Sequence, residues 1–69
     1  MKMLYNKKDD VLMIELNQKP IDYAEQTGDL IVHFSSDRRA VLLEVLEASH
    51  FLKRASRAFP LSVRQQLFA

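Results

Sequence analysis

Sixty-nine residues, 48% apolar and 28% charged, with ten Lys and Arg against nine Asp and Glu, describe one small folded domain and exclude a disordered chain. A chain of this length buries only about 60% of its unfolded surface. With no cysteine there is neither a disulfide nor a thiolate metal site, so oligomerisation is the remaining usual support.

Alternation dominates the first part. Met3 and Tyr5 share one face of a first strand, and the polar turn Asn6-Lys7-Lys8-Asp9 follows. In the next strand Leu12, Ile14 and Leu16 lie on one face and Met13 and Glu15 on the other. Asn17-Gln18-Lys19-Pro20 predicts a second turn, since proline presets a turn φ and cannot donate to a ladder. Residues 21–26 predict a short edge strand, and Gly28-Asp29 a tight turn. Leu30, Val32 and Phe34 then alternate with Ile31, His33 and Ser35. After the connection Ser36-Asp37-Arg38-Arg39, Val41, Leu43 and Val45 alternate with Leu42, Glu44 and Leu46. Connections this short join antiparallel strands, because parallel pairs need a dozen or more residues to cross over.

At Ser49 the period changes. Ser49 is the expected N-cap of a helix carrying Phe51, Leu52, Ala55, Ala58 and Phe59 near one face, and Lys53, Arg54 and Arg57 on the other. Pro60 ends or kinks it, and Ser62-Val63-Arg64-Gln65 has capping-box spacing for a short second helix with Leu67 and Phe68. Charge changes at the same place. Residues 1–49 hold six bases and nine acids, a net of −3, whereas residues 50–69 hold four bases and no acid, a net of +4. The expected fold is therefore α+β: a four- or five-stranded antiparallel β-meander with a C-terminal helix and a short kinked helical extension. It is a single domain whose sheet and helix start occupy residues 1–52, with a basic amphipathic extension over 53–69.

The stretch Tyr5-Asn6-Lys7-Lys8-Asp9-Asp10-Val11-Leu12-Met13-Ile14-Glu15-Leu16 resembles the "YD-x-x-x-D-x-L-x-I-x-L" opening of the short proteins catalogued as domain of unknown function 2283. Residues 30–34, followed by Val41-Leu42-Leu43-Glu44-Val45-Leu46-Glu47-Ala48-Ser49, resemble that family's later strands and its "I-E-I-L-D-A-S" ending. The likeness covers about residues 1–52. It departs from the pattern at Asn6, His33, Leu42 and Glu47, and the chain from Lys53 onward lies outside it. The resemblance implies a β-meander closed by a helix and no established activity. It also implies, for some members, an antitoxin-like partnership with small toxins.

Candidate chemistry is sparse. Asp9, Asp10 and Asp37 sit at strand ends beside turns, where Asp bonds its own backbone. Glu44 and His33 are the nearest carboxylate–imidazole pair, set across a hairpin, and His33 reads as a surface or interface side chain. The serines lack a nucleophile-elbow motif, and a single glycine provides no phosphate-cradling loop. No catalytic, metal or cofactor site is expected, and the chain is not expected to be an enzyme.

Partner binding is the stronger expectation. If the Leu12, Val32 and Val45 face meets the helix, Met13, Ile31, Leu42 and Leu46 remain apolar on the opposite face. The expected partner-binding residues are thus Ile31, Leu42, Leu46, Phe51, Phe59 and Phe68, with Lys53, Arg54, Arg57 and Arg64 orienting contacts to acidic groups. The expected core is Val32, Phe34, Leu43 and Val45. The function so read is an interaction module, antitoxin-like, binding a toxin partner and self-associating, with a dimer favoured. The alternative is a small regulator that binds nucleic acid through the basic tail. The longest apolar run is four residues, so no membrane-spanning helix is expected, and no signal-peptide pattern opens the chain. The expected location is a prokaryotic cytoplasm.

Overall fold

The alternation becomes five strands, β1 (Lys2–Asn6), β2 (Val11–Glu15), β3 (Tyr23–Thr27), β4 (Leu30–Phe34) and β5 (Ala40–Val45), followed by the helix α1 (Ala48–Ser56). The computed structural model in which they are seen describes residues 1–56 together with Pro60 and Ser62. All neighbouring strands are antiparallel, and their order across the sheet is β1-β2-β5-β4-β3. The class is α+β, as the sequence predicts, but the sheet is not a simple meander. Strand β2 is followed not by its neighbour but by the far edge β3, and the chain returns through β4 to β5 in the manner of a Greek key.

The connector over residues 16–22 makes this jump, and it is held to the end of the β4–β5 hairpin. Leu16 N–H donates to the Val41 carbonyl at 2.8 Å, Asn17 Nδ2 to the Ala40 carbonyl at 3.0 Å, and Asp22 N–H to the Phe34 carbonyl at 2.7 Å. Lys19 Nζ pairs with Asp37 at 2.8 Å. Asn17 Oδ1 also accepts Lys19 N–H at 3.0 Å, so the predicted turn is an asparagine-led strap across the sheet end.

Register assigns the faces. One face carries the row Tyr5, Leu12, Val45, Leu30 and Thr27, and beside it Met3, Ile14, Leu43, Val32 and Glu25. The other carries Leu4, Met13, Glu44, Ile31 and Gln26, and beside it Lys2, Glu15, Leu42, His33 and Ala24. The predicted strand phase is therefore the one observed. A bulge between β4 and β5 makes Val41 the extra residue. The β3–β4 hairpin closes on the two residues Gly28 and Asp29. Its first position has φ +57°, where glycine avoids the Cβ clash of the left-handed region.

Helix α1 packs on the Leu12 face. Ala48, fully buried, joins Leu12 and Val45 in a cluster flanked by Ile14 and Leu52. This corrects the expected core. Among the described residues the buried apolar side chains are Leu12, Val41, Val45 and Ala48, while Val32, Phe34 and Leu43 are half-buried. The reason is where the helix sits: its apolar contacts fall over β2 and the end of β5, away from β4. Phe34 instead stacks on Tyr23 across the β3–β4 pair, with centroids 5.1 Å apart.

Candidate partner-binding surfaces

The start of α1 is fixed by a residue distant in sequence. Asp10 ends the β1–β2 turn with φ +54°, and its carbonyl accepts Ala48 N–H at 2.9 Å. Its carboxylate accepts Ser49 N–H at 2.9 Å, Ser49 Oγ at 2.7 Å and Tyr5 Oη at 2.6 Å. The helix has no acid in its own first turn, so Asp10 supplies both the cap and the negative charge that its positive end favours. Ser49 is thus capped rather than capping. Asp10 bonds across the fold instead of to its own turn, which is instead organised by Asn6 Oδ1 accepting Asp9 N–H at 3.1 Å.

Donors explain the electrostatics. The Tyr5 hydroxyl and then Ser49 hold the Asp10 carboxyl below the usual carboxylate range, and the same bond raises the Tyr5 phenol. Asp37 is held at about 2, first by Lys19 and then by the Ser35 hydroxyl, and Arg39 Nε stands 3.6 Å away. Ser35 is itself buried; its N–H donates to the Arg39 carbonyl at 2.9 Å and its hydroxyl oxygen accepts Arg39 N–H at 3.2 Å, which closes the β4–β5 turn. These carboxylates are structural ties. Among the described residues no group of three or more Asp, Glu or His side chains is placed to hold a metal ion. His33 and Glu44 do meet, through a short Nε2–Oε1 hydrogen bond across the β4–β5 pair.

Two surfaces stand out. The first is a cleft of about 300 Å³ between α1 and the β3–β4 hairpin. It is lined by the apolar Leu30, Leu46 and Phe51, by His50 and Arg54 of α1, and by Asp29 and Glu47 from the turns. Leu46 belongs here rather than on the opposite sheet face, because β5 ends at Val45 and Leu46 N–H donates to the Asp29 carbonyl at 2.7 Å. Phe51 remains 48% exposed. The second surface is the sheet face opposite the helix, where Ile31 and Leu42 lie with Met13 and Leu4 around the His33–Glu44 pair.

The sequence-predicted residues therefore divide. Leu46, Phe51 and Arg54 converge on the cleft, while Ile31 and Leu42 share the other side of the sheet. Lys53 is exposed on α1. The expected second helix, with Arg57, Phe59, Arg64 and Phe68, lies outside the described residues. Asp10 is the structural residue that reading along the chain misses, since its partner is 39 positions away. The motif segments that carry the resemblance, around Tyr5 to Asp10 and at Ala48-Ser49, offered the one signal.

Residues 2–49 match the family model described as Protein of unknown function (DUF2283). No curated protein and no solved structure matches the chain. Among the described residues no helix is long and apolar enough to cross a membrane.

Proposed function

The chain belongs to this family, whose description assigns no activity, and from that premise we propose that it is a non-catalytic protein-interaction module, an antitoxin-like subunit that docks a partner protein beside its helix. The observation that carries this reading is the cleft: an exposed Phe51 and the apolar Leu30 and Leu46 line it together with the acidic Asp29 and Glu47 and the basic Arg54. An open cleft of about 300 Å³ lies at the low end for small-molecule sites, and it suits one apolar anchor side chain of a partner, with an acidic neighbour on Arg54. The basic last turn of α1, Lys53 and Arg54, favours such an acidic partner segment.

Calorimetric titration with the protein encoded by the adjacent gene tests the reading. Stoichiometric binding is expected, weakened at least tenfold by Phe51→Ala and made less salt-sensitive by Arg54→Ala. Equal binding by Phe51→Ala overturns the cleft as the site. Salt-sensitive retention on DNA, lost on replacing Arg54 and Arg57 by Ala, supports the nucleic-acid reading instead.

A further inference from the structure

The sheet face opposite α1 goes beyond that reading, because it lies on the other side of the sheet from the cleft. Two central rows on it run Leu4, Met13, Glu44, Ile31 and Lys2, Glu15, Leu42, His33 across four strands. Among the described residues the only helix packs on the reverse side. We infer that this face, centred on Leu42 and flanked by Met13, Ile31 and the His33–Glu44 pair, is the interface between two copies of this chain.

Three observations select a second copy as the occupant. The first is charge. A two-fold interface sets one patch against itself, so a block of one sign would repel its own copy. Here Glu44 is bonded to His33, and Glu15 lies directly across from Lys2 in the β1–β2 register. The face therefore carries residues of both signs and no block of one sign that would repel its own copy.

Area is the second. Five strands about 4.8 Å apart and five residues long at about 3.4 Å each project roughly 400 Å². Side chains roughen that surface, so two stacked faces remove on the order of 1,000 Å², the lower bound for a specific interface. The expected complex is therefore a dimer that forms at micromolar concentration. The third observation is the shallow core. The described apolar interior holds Leu12, Val41, Val45 and Ala48, and none of its large side chains is fully buried. Stacking a second sheet converts half-buried Met13, Ile31 and Leu42 into an interior.

The edges are poorer candidates. β1 carries Lys2, and β3 carries Glu25 and Gln26, polar residues that discourage strand addition.

Cross-linking tests the inference on the full chain, which has no cysteine of its own. Leu42→Cys and Phe51→Cys variants are treated with a bismaleimide spanning about 8 Å, within the roughly 10 Å separation of stacked sheets. Leu42→Cys is expected to give a covalent dimer at micromolar protein, and Phe51→Cys to stay monomeric. In parallel, sedimentation velocity is expected to show the wild type near twice 8.0 kDa, with Ile31→Lys shifted to the monomer while its circular dichroism is unchanged. A wild type that sediments at 8.0 kDa throughout overturns the inference, as it does if the rest of the chain or another protein covers the face. A covalent dimer from Phe51→Cys but not Leu42→Cys also overturns it. Either failure leaves the cleft and its titration untouched.

Discussion

Replacing Leu12 by Ala probes where the core lies. Leu12 is 5% exposed and packs with Val45 and Ala48, beside Ile14 and Leu52. Removing three carbons forfeits about 0.8 kcal/mol each in transfer free energy, roughly 2.4 kcal/mol in all. The cavity adds to this at about 24 cal/mol per Å³, but a nine-residue helix resting on Ala48 and Leu52 is able to settle into part of the gap. The total is about 3 kcal/mol. A domain of this length holds about 3–10 kcal/mol, so the variant loses a third or more of its stability and roughly 12–24 °C in Tm. Phe34→Ala removes a larger side chain, yet Phe34 is only half-buried and rests against Tyr23, so its cost is about 2 kcal/mol. Urea denaturation followed by circular dichroism, at one fixed protein concentration, measures both. If Phe34→Ala costs as much as Leu12→Ala, the core is centred on β4 and the placement of the helix is wrong.

Gly28→Ala is expected to cost about 1 kcal/mol, and from φ alone, because nothing lies within 4 Å of the added Cβ; an unchanged urea midpoint would contradict the +57° turn. Arg38 sits at φ +64°, so Arg38→Gly is expected to gain about 0.5 kcal/mol in the same assay, and a loss would show that its backbone is not in the left-handed region. Asp37 and Asp10 both ionise below their unfolded values, so each contributes stability that is complete above the unfolded value and lost as pH falls through the folded one. For Asp37 that window runs from about 4 down to about 2, and urea midpoints across it should fall less steeply in Asp37→Asn than in the wild type; equal slopes would refute the Lys19–Asp37 tie.

Strand phase was legible because period-two alternation reports a face directly: Leu12 with Ile14, Leu30 with Val32, and Leu43 with Val45 do share one side. The cross-hairpin partnership of His33 and Glu44 was legible from the same register logic. Strand order was not. A seven-residue connector whose turn signal is Asn17 and Pro20 reads as a step to the next strand, and only its bonds to Ala40, Val41 and Phe34 reveal that it crosses two. Core depth was hidden for a related reason. Hydrophobic pattern marks the face that meets a helix, but which part of that face is covered depends on the Asp10–Ser49 anchor, formed between residues 39 positions apart. The site residues inherit both limits. Leu46 looks like the next alternating strand position, yet β5 stops one residue earlier and the Asp29 carbonyl turns Leu46 into the cleft.

The two faces of the sheet serve different contacts, the helix on one and a second copy on the other. Amide proton–nitrogen correlation spectra recorded through serial dilution from millimolar to low micromolar protein test it most directly. Concentration-dependent shifts are expected to cluster at Met13, Glu15, Ile31, His33, Leu42 and Glu44, with Ala48 and Leu52 of the helix unmoved. Spectra that do not change with dilution, or changes confined to Leu46, His50 and Phe51 around the cleft, would contradict it.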